Sequence, residues 1–62
     1  MKFKEFMDMY DNWNGLMTVN DDECKPIYFG KTMEVMEKRP DFCEREVVAF
    51  GFYDNELAVR IK

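Results

Sequence analysis

The sequence predicts an α+β domain with a small antiparallel sheet of about four strands, an N-terminal helix packed on one face and a short second helix. Two observations support this class. The first residues repeat apolar side chains at the helical period, and the last third has two strand-like runs around a tight turn. The chain has 62 residues, which is room for one domain only, so the domain is expected to span residues 1–62.

The N-terminal helix is predicted from apolar side chains at positions i, i+3, i+4 and i+7. These residues are Phe3, Phe6, Met7 and Tyr10. At 3.6 residues per turn all four lie on one side of a helix, and the charged residues between them face water. Asparagine and glycine in the interval 12–15 favour a turn, so we expect the helix to span residues 2–11.

Two strands are expected before the middle of the chain. The first spans residues 16–19 and ends at the run 20–23, which has turn-forming residues and too much charge to continue a sheet. The second follows Pro26, which has no N–H to donate and belongs at the start or edge of a strand. We expect this second strand to span residues 27–31.

The interval 32–39 allows two interpretations. Thr32 is a suitable N-cap for a short helix, basic residues stand near its end, and Pro40 would terminate it. Met33 and Met36 have helical spacing, but the apolar residues also fit the period of a longer, bent strand. We favour the short helix.

The last third of the chain predicts a hairpin. The runs 47–53 and 56–61 are rich in β-branched and aromatic residues, and Asp54-Asn55 between them suits a two-residue turn. If Tyr53 faces Glu56, large apolar residues oppose one another on one face, in the pairs Phe52–Leu57, Phe50–Val59 and Val48–Ile61. This face is expected to lie beneath the N-terminal helix, with Phe50 packed inside.

The opposite face of the hairpin is half apolar, with small residues at its centre. Because a small domain has little core of its own, burying this face against a second copy would stabilise each copy. We therefore expect a homodimer through this face. Its residues are Ala49, Gly51, Tyr53, Glu56, Ala58 and Arg60. The alternative is a monomer in which this second face is exposed to solvent.

The side chains offer little for catalysis or metal binding. The sequence has no histidine and no serine, and Cys24 and Cys43 are far apart in the chain. We therefore expect a protein that is not an enzyme, with no catalytic, cofactor-binding or metal-ligating residues and with free thiols in the cytoplasm. No apolar run approaches the roughly 20 residues that a membrane helix needs.

Charge favours a protein partner over duplex DNA. The net charge is -4, and six acidic residues but no basic one occur from Glu5 to Cys24. Such a surface repels a phosphate backbone and suits a basic protein, and the alternative is that the charge only keeps the protein soluble. A loop aromatic can anchor an interface, although it can instead plug the end of the core. The candidate partner-binding residues are Trp13, Asp21, Asp22 and Glu23.

Single-stranded nucleic-acid binding through the second face of the hairpin is a further alternative. Aromatic side chains there would stack on bases, and basic ones would contact phosphates. The residues are Tyr53, Arg60 and Lys62, with Tyr28 and Lys31 from the second strand.

The segments 10–15 (YDNWNG) and 45–54 (REVVAFGFYD), with the run on to Ile61, resemble small proteins carried by prophages and conjugative elements of gut Firmicutes. The resemblance spans most of the chain. It is to a family without an established activity, so it implies a bacterial cytoplasmic accessory protein and carries over no catalytic residue. The expected function is a non-enzymatic protein-binding or regulatory module, and a homo-oligomeric structural protein is the alternative.

Overall fold

The computed structural model describes residues 1–11 and 13–62, and it confirms the α+β class. These residues form a sheet of four strands, with α-helices and short 3₁₀ turns on one side. The elements are α1 Phe3–Met9, β1 Leu16–Asn20, β2 Pro26–Lys31, α2 Val35–Lys38 between the 3₁₀ turns Thr32–Glu34 and Pro40–Phe42, β3 Val47–Tyr53 and β4 Glu56–Ile61. Asn12, part of the predicted turn after the first helix, lies outside the described residues.

Helix α1 is shorter than predicted. It begins after Lys2, whose backbone N–H donates to the Glu5 carboxylate at 2.8 Å and so satisfies a donor at the helix start. It ends at Met9, and Tyr10 has an extended backbone. The last turn carries Asp8 and no basic residue, so no positive charge stabilises the negative end of the helix dipole there.

The segment after β2 is helical, which confirms the short helix over the bent strand. Glu34 and Lys38, four residues apart, form an ion pair of 2.9 Å that stabilises the helical turn. The predicted cap by Thr32 is wrong. Its side chain is fully buried, and its hydroxyl has no hydrogen-bond partner in the described residues. The Thr32 backbone N–H donates to the carbonyl of Gly15 at 3.0 Å, which holds the residue inside the fold.

The sheet has the order β2-β1-β4-β3 and is mixed rather than wholly antiparallel. β1 pairs antiparallel with β2, and β3 with β4, but the central pair β1 and β4 is parallel. The physical reason is the helical connection between β2 and β3. It carries the chain back across one face of the sheet, so the second hairpin starts in the same direction as β2.

The hairpin register is confirmed for three of the four predicted pairs. Tyr53 pairs with Glu56, Phe52 with Leu57 and Phe50 with Val59. The fourth pair is wrong, because a bulge between Val47 and Ala49 shifts the register and brings Val47 opposite Ile61.

The prediction that Phe50 packs inside is also wrong. Phe50 lies on the helix side of the sheet, where its ring centroid is 5.0 Å from that of Phe6, yet the residue is 61% exposed. It belongs to the edge strand β3, so α1 covers it from one side only.

The core lies between the helices and the two central strands. Its buried apolar side chains come from α1, β1, α2, the second 3₁₀ turn and β4: Phe3, Phe6, Met7, Met17, Val19, Val35, Phe42, Leu57, Val59 and Ile61. Phe42, which the sequence patterns did not single out, packs edge-on against Phe3 with ring centroids 5.6 Å apart. The guanidinium of Arg39 lies 4.3 Å from the centre of the Phe42 ring and also donates to the Ile27 carbonyl at 2.7 Å.

Candidate functional site

An exposed apolar surface runs along the helix side of β3. We call it the aromatic edge and define it by the residues Met1, Phe6, Met9, Tyr10, Val48, Phe50 and Phe52. Helix α1 lies alongside β3, so Phe6 packs against Phe50 and Tyr10 lies 6.2 Å from Phe52 between ring centroids.

The aromatic edge is apolar and largely open to solvent. Met9 is 63% exposed, Phe52 is 59% exposed, and Met1 and Val48 are also exposed. The rings and methionines border two shallow hollows, and no charged side chain lines either hollow in the described part of the chain. Contiguous exposed apolar patches of this kind mark interaction sites in soluble proteins.

Along the same stretch, no strand of the described residues pairs with the outer edge of β3. Asp54 and Asn55 both have positive φ, of 52° and 67°, as a type I′ turn requires. Such a turn is closed by a hydrogen-bonded pair, here Tyr53 and Glu56, and hydrogen-bonded pairs alternate along the ladder. Phe50 and Phe52 therefore direct their backbone N–H and C=O groups away from β4.

The opposite side of the sheet, which we call the outer face, carries all six predicted self-association residues. Ala49 pairs with Arg60, Gly51 with Ala58, and Tyr53 with Glu56, which sets all of them on one face. In the described residues no helix covers this face, and Tyr53 is 70% exposed. A depression of about 200 Å³ lies there, and Arg60 donates to the Cys24 sulfur across its rim at 3.3 Å.

The aromatic residues proposed for nucleic-acid stacking do not share one surface. Tyr28 lies opposite Val19, packs against the core and donates its hydroxyl to the Lys31 carbonyl at 2.9 Å, so it is not on the outer face. The β2 aromatic on the outer face is Phe29, which pairs with Thr18 and is 63% exposed.

The acidic turn, Asp21 to Glu23, connects β1 and β2. Asp21 accepts hydrogen bonds on one carboxylate oxygen from the backbone N–H groups of Glu23 and Lys25, both at 2.9 Å. Its charge therefore stabilises the turn, in which Cys24 takes a positive φ of 66°. Asp22 and Glu23 are exposed.

Trp13 is half-buried and packs against the core. It precedes β1 whereas the acidic turn follows β1, so the two lie at opposite ends of a strand of about 17 Å. The four predicted partner-binding residues therefore do not form one patch.

Ion pairs anchor the N-terminal residues beside β3. The Glu44 carboxylate accepts from the Lys2 ammonium at 2.8 Å and from Lys4 at 2.9 Å, and these hydrogen bonds lower the pKa of Glu44 to about 2. The N-terminal ammonium lies 2.7 Å from Glu46, and its hydrogen bond lowers the pKa of that carboxyl as well. The N-terminal segment is thus held against the start of β3.

The aromatic edge was missed as a surface by sequence reasoning, which took Phe50 and Phe52 as core residues. A signal was present, since β3 has neither proline nor lysine to protect an edge. No helix of the described residues is long and apolar enough to cross a membrane, and these residues contain no cluster of metal-ligating side chains. Comparison with known proteins found no matching family model, curated protein or solved structure.

Proposed function

We propose that this protein is a binding module without catalytic activity and that it binds another polypeptide along the aromatic edge. The observation that carries the proposal is that β3 combines exposed aromatic rings with outward-facing backbone groups. Phe50 and Phe52 expose their rings, and the same residues direct backbone hydrogen-bonding groups away from β4. A strand added here would gain main-chain hydrogen bonds and apolar contact together, which is peptide recognition by β-augmentation.

The contrast between the two edges of the sheet supports this choice of surface. β2 begins with Pro26 and ends with Lys31, and natural sheets use both residue types to discourage pairing at an edge. β3 is seven residues long and has neither. The unprotected edge is the one that a partner strand would join.

The acidic turn is a second proposed contact, for a basic partner. Asp22 and Glu23 are exposed, whereas the Asp21 carboxylate is engaged by the turn itself. The proposal includes a cytoplasmic location and, as the resemblance implies, a bacterial mobile-element origin. The free, exposed thiol of Cys24 is compatible with a reducing compartment.

Selection from a random peptide library tests the proposal. With the protein displayed sparsely, so that copies do not meet, we expect it to retain peptides that alternate apolar residues in an extended conformation. Phe50→Lys should reduce retention about tenfold, a change of about 1.4 kcal/mol, because the charge occupies the apolar contact. Phe29→Lys is the matched control, an equally exposed phenylalanine on the opposite edge strand, and should retain peptides as the wild type does.

Two results would contradict the proposal. The first is a wild-type protein that retains no peptide above background. The second is an equal loss in the Phe29→Lys and Phe50→Lys variants, because general surface charge rather than the aromatic edge would then control binding.

A further inference from the structure

We infer that the polypeptide that covers the aromatic edge is a second copy of this chain, paired antiparallel through β3 about a two-fold axis. The inference rests on the proposed function, because it names the partner of the same edge. An isologous contact of this kind needs one self-complementary surface, and an edge strand of alternating side chains is such a surface.

The backbone determines how two copies of β3 would pair. Phe50 and Phe52 carry the outward N–H and C=O groups, so each must stand opposite an outward residue of the other copy. The Met1 carbonyl accepts the Val47 N–H at 2.8 Å and occupies one end of the edge, and the turn at Asp54 closes the other. The free interval is centred near Gly51, so pairing about Gly51 sets Phe50 opposite Phe52 of the second copy.

The side chains of a second copy match the surface that they would meet. The hollow between α1 and β3 has a volume of about 270 Å³ and is lined by Phe6, Met9, Tyr10, Phe50 and Phe52. In the described residues no charged group lines it, so nothing there selects a charged partner. The opposing β3 brings two phenylalanines to this side, and it brings Ala49, Gly51 and Tyr53 to the other.

Charge does not oppose the contact, although the chain has a net charge of -4. β3 has no charged residue between Glu46 and Asp54, and Glu46 is paired with the N-terminal ammonium. Five large apolar residues of the aromatic edge, each about half exposed, offer about 500 Å² per copy. Two copies would bury about 1,000 Å² before the backbone is counted, which is the lower limit for a specific interface.

Pairing along the edge differs from the homodimer predicted through the outer face, and one variant separates the two. Ala58 lies in the middle of the outer face, on β4, away from the free edge. Ala58→Glu would disrupt an outer-face contact and leave edge pairing intact. It is therefore the matched control for a charge placed on β3.

Sedimentation equilibrium at micromolar concentration tests the inference. We expect the wild type to have twice the 7.5 kDa chain mass, the Phe52→Lys variant to fall twofold to the chain mass, and the Ala58→Glu variant to keep the doubled mass. A wild type at the chain mass, or a Phe52→Lys variant that stays doubled, overturns the inference. A doubled mass lost only in the Ala58→Glu variant assigns the dimer to the outer face and overturns it as well.

Cross-linking tests the register independently. Across the proposed axis, Gly51 of one copy stands opposite Gly51 of the other in a non-hydrogen-bonded pair. The Cα atoms of such a pair lie about 4.5 Å apart, which a disulfide can bridge. A Cβ at Gly51 meets its nearest atom, on the Tyr53 ring, at 3.7 Å, so Gly51→Cys has room. In a Cys24→Ser background, oxidation should cross-link Gly51→Cys but not Ala58→Cys. A Gly51→Cys protein that fails to cross-link overturns pairing about Gly51.

These outcomes are distinct from failure of the proposed function. A wild type that sediments as a monomer but retains extended peptides overturns the second copy and leaves strand addition in place. A monomer that retains no peptide overturns both.

Discussion

β3 and β4 are the two strands of one hairpin, yet their helix-side residues have opposite environments. Leu57 on β4 is 1% exposed, whereas Phe52, directly opposite on β3, is 59% exposed. Both residues are large and apolar, so composition does not explain the difference. β4 lies between β1 and β3, and β3 lies at the rim of the sheet. Alternation therefore decides which way a side chain points, and position in the sheet decides whether it is buried.

The rim of the sheet carries exposed aromatic side chains, and the central strands supply the buried core. Val59 on β4 is buried, whereas Phe50 opposite it touches Phe6 of α1 and is otherwise open. An α-helix is about 10 Å wide and strands lie about 4.8 Å apart, so the helices cover the central strands more completely than the edges. A small domain can therefore keep large aromatic residues on its surface without losing its core.

Truncating the facing pair Leu57 and Phe52 is the strongest test of this comparison. Leu57→Ala should lower the free energy of unfolding by about 2–5 kcal/mol, because it leaves a cavity in the core. Phe52→Ala should lower it by about 1 kcal/mol or less, since most of that ring is already in water. Urea unfolding at the lowest measurable concentration, where self-association is weakest, compares the two. Equal losses would mean that the edge of β3 is covered.

Removing the unpaired hydroxyl of Thr32 tests the helix-covered side of the sheet. Here the substitution is expected to raise the free energy of unfolding rather than lower it. Thr32→Val keeps the shape of the side chain and removes a buried polar atom that has no partner in the described residues, so stability should rise by about 1 kcal/mol. Thr18→Val, at a half-exposed position of the outer face, is the control and should change stability by less than about 0.5 kcal/mol. Thermal unfolding of both variants measures the difference. A destabilised Thr32→Val protein would indicate that the hydroxyl does find a partner.

Glu44→Gln should have the smallest effect, and the effect should depend on pH. The ion pairs of Glu44 with Lys2 and Lys4 hold the folded-state pKa at about 2, below the ordinary value of 4.5. The pairs therefore stabilise the fold above about pH 4.5, and this contribution is lost as the pH falls towards 2.

Urea midpoints measured across this range provide the check. The urea midpoint of the wild type should be higher than that of Glu44→Gln at neutral pH, and the difference between the two midpoints should disappear in acid. Glu37→Gln, at an exposed glutamate of α2, controls for the loss of one negative charge. A difference in midpoint that stays constant with pH would show that protonation of the Glu44 carboxylate does not change the stability of the fold.

Local patterns predicted the elements well. The hairpin strands 47–53 and 56–61 have the predicted bounds, since the alternating side chains and the turn Asp54-Asn55 act over a few residues. The helix stripe was predicted on the same basis, and three of its four residues are buried in the core. Where the prediction failed, at the Thr32 cap, a long-range hydrogen bond to Gly15 outweighed a local preference.

The candidate surfaces were predicted only in part. The outer-face residues do share a face, because strand register follows from alternation and turn length. Trp13 and the acidic turn were both predicted as partner contacts, one as a loop aromatic and the other as a charged loop, but β1 separates them in space. The aromatic edge was missed because its residues have the composition of a core.

The sequence by itself determined the α+β class, the helix, the hairpin and, from Ala49 to Ile61, the faces to which the hairpin strand residues point. These features follow from backbone periodicity and turn geometry, which depend on neighbours in the chain. The tertiary structure alone decided the parallel pairing of β1 with β4, the burial of Phe42 and the exposure of Phe50. Each of these depends on which segments, distant in the chain, come to lie side by side, and no local period encodes that.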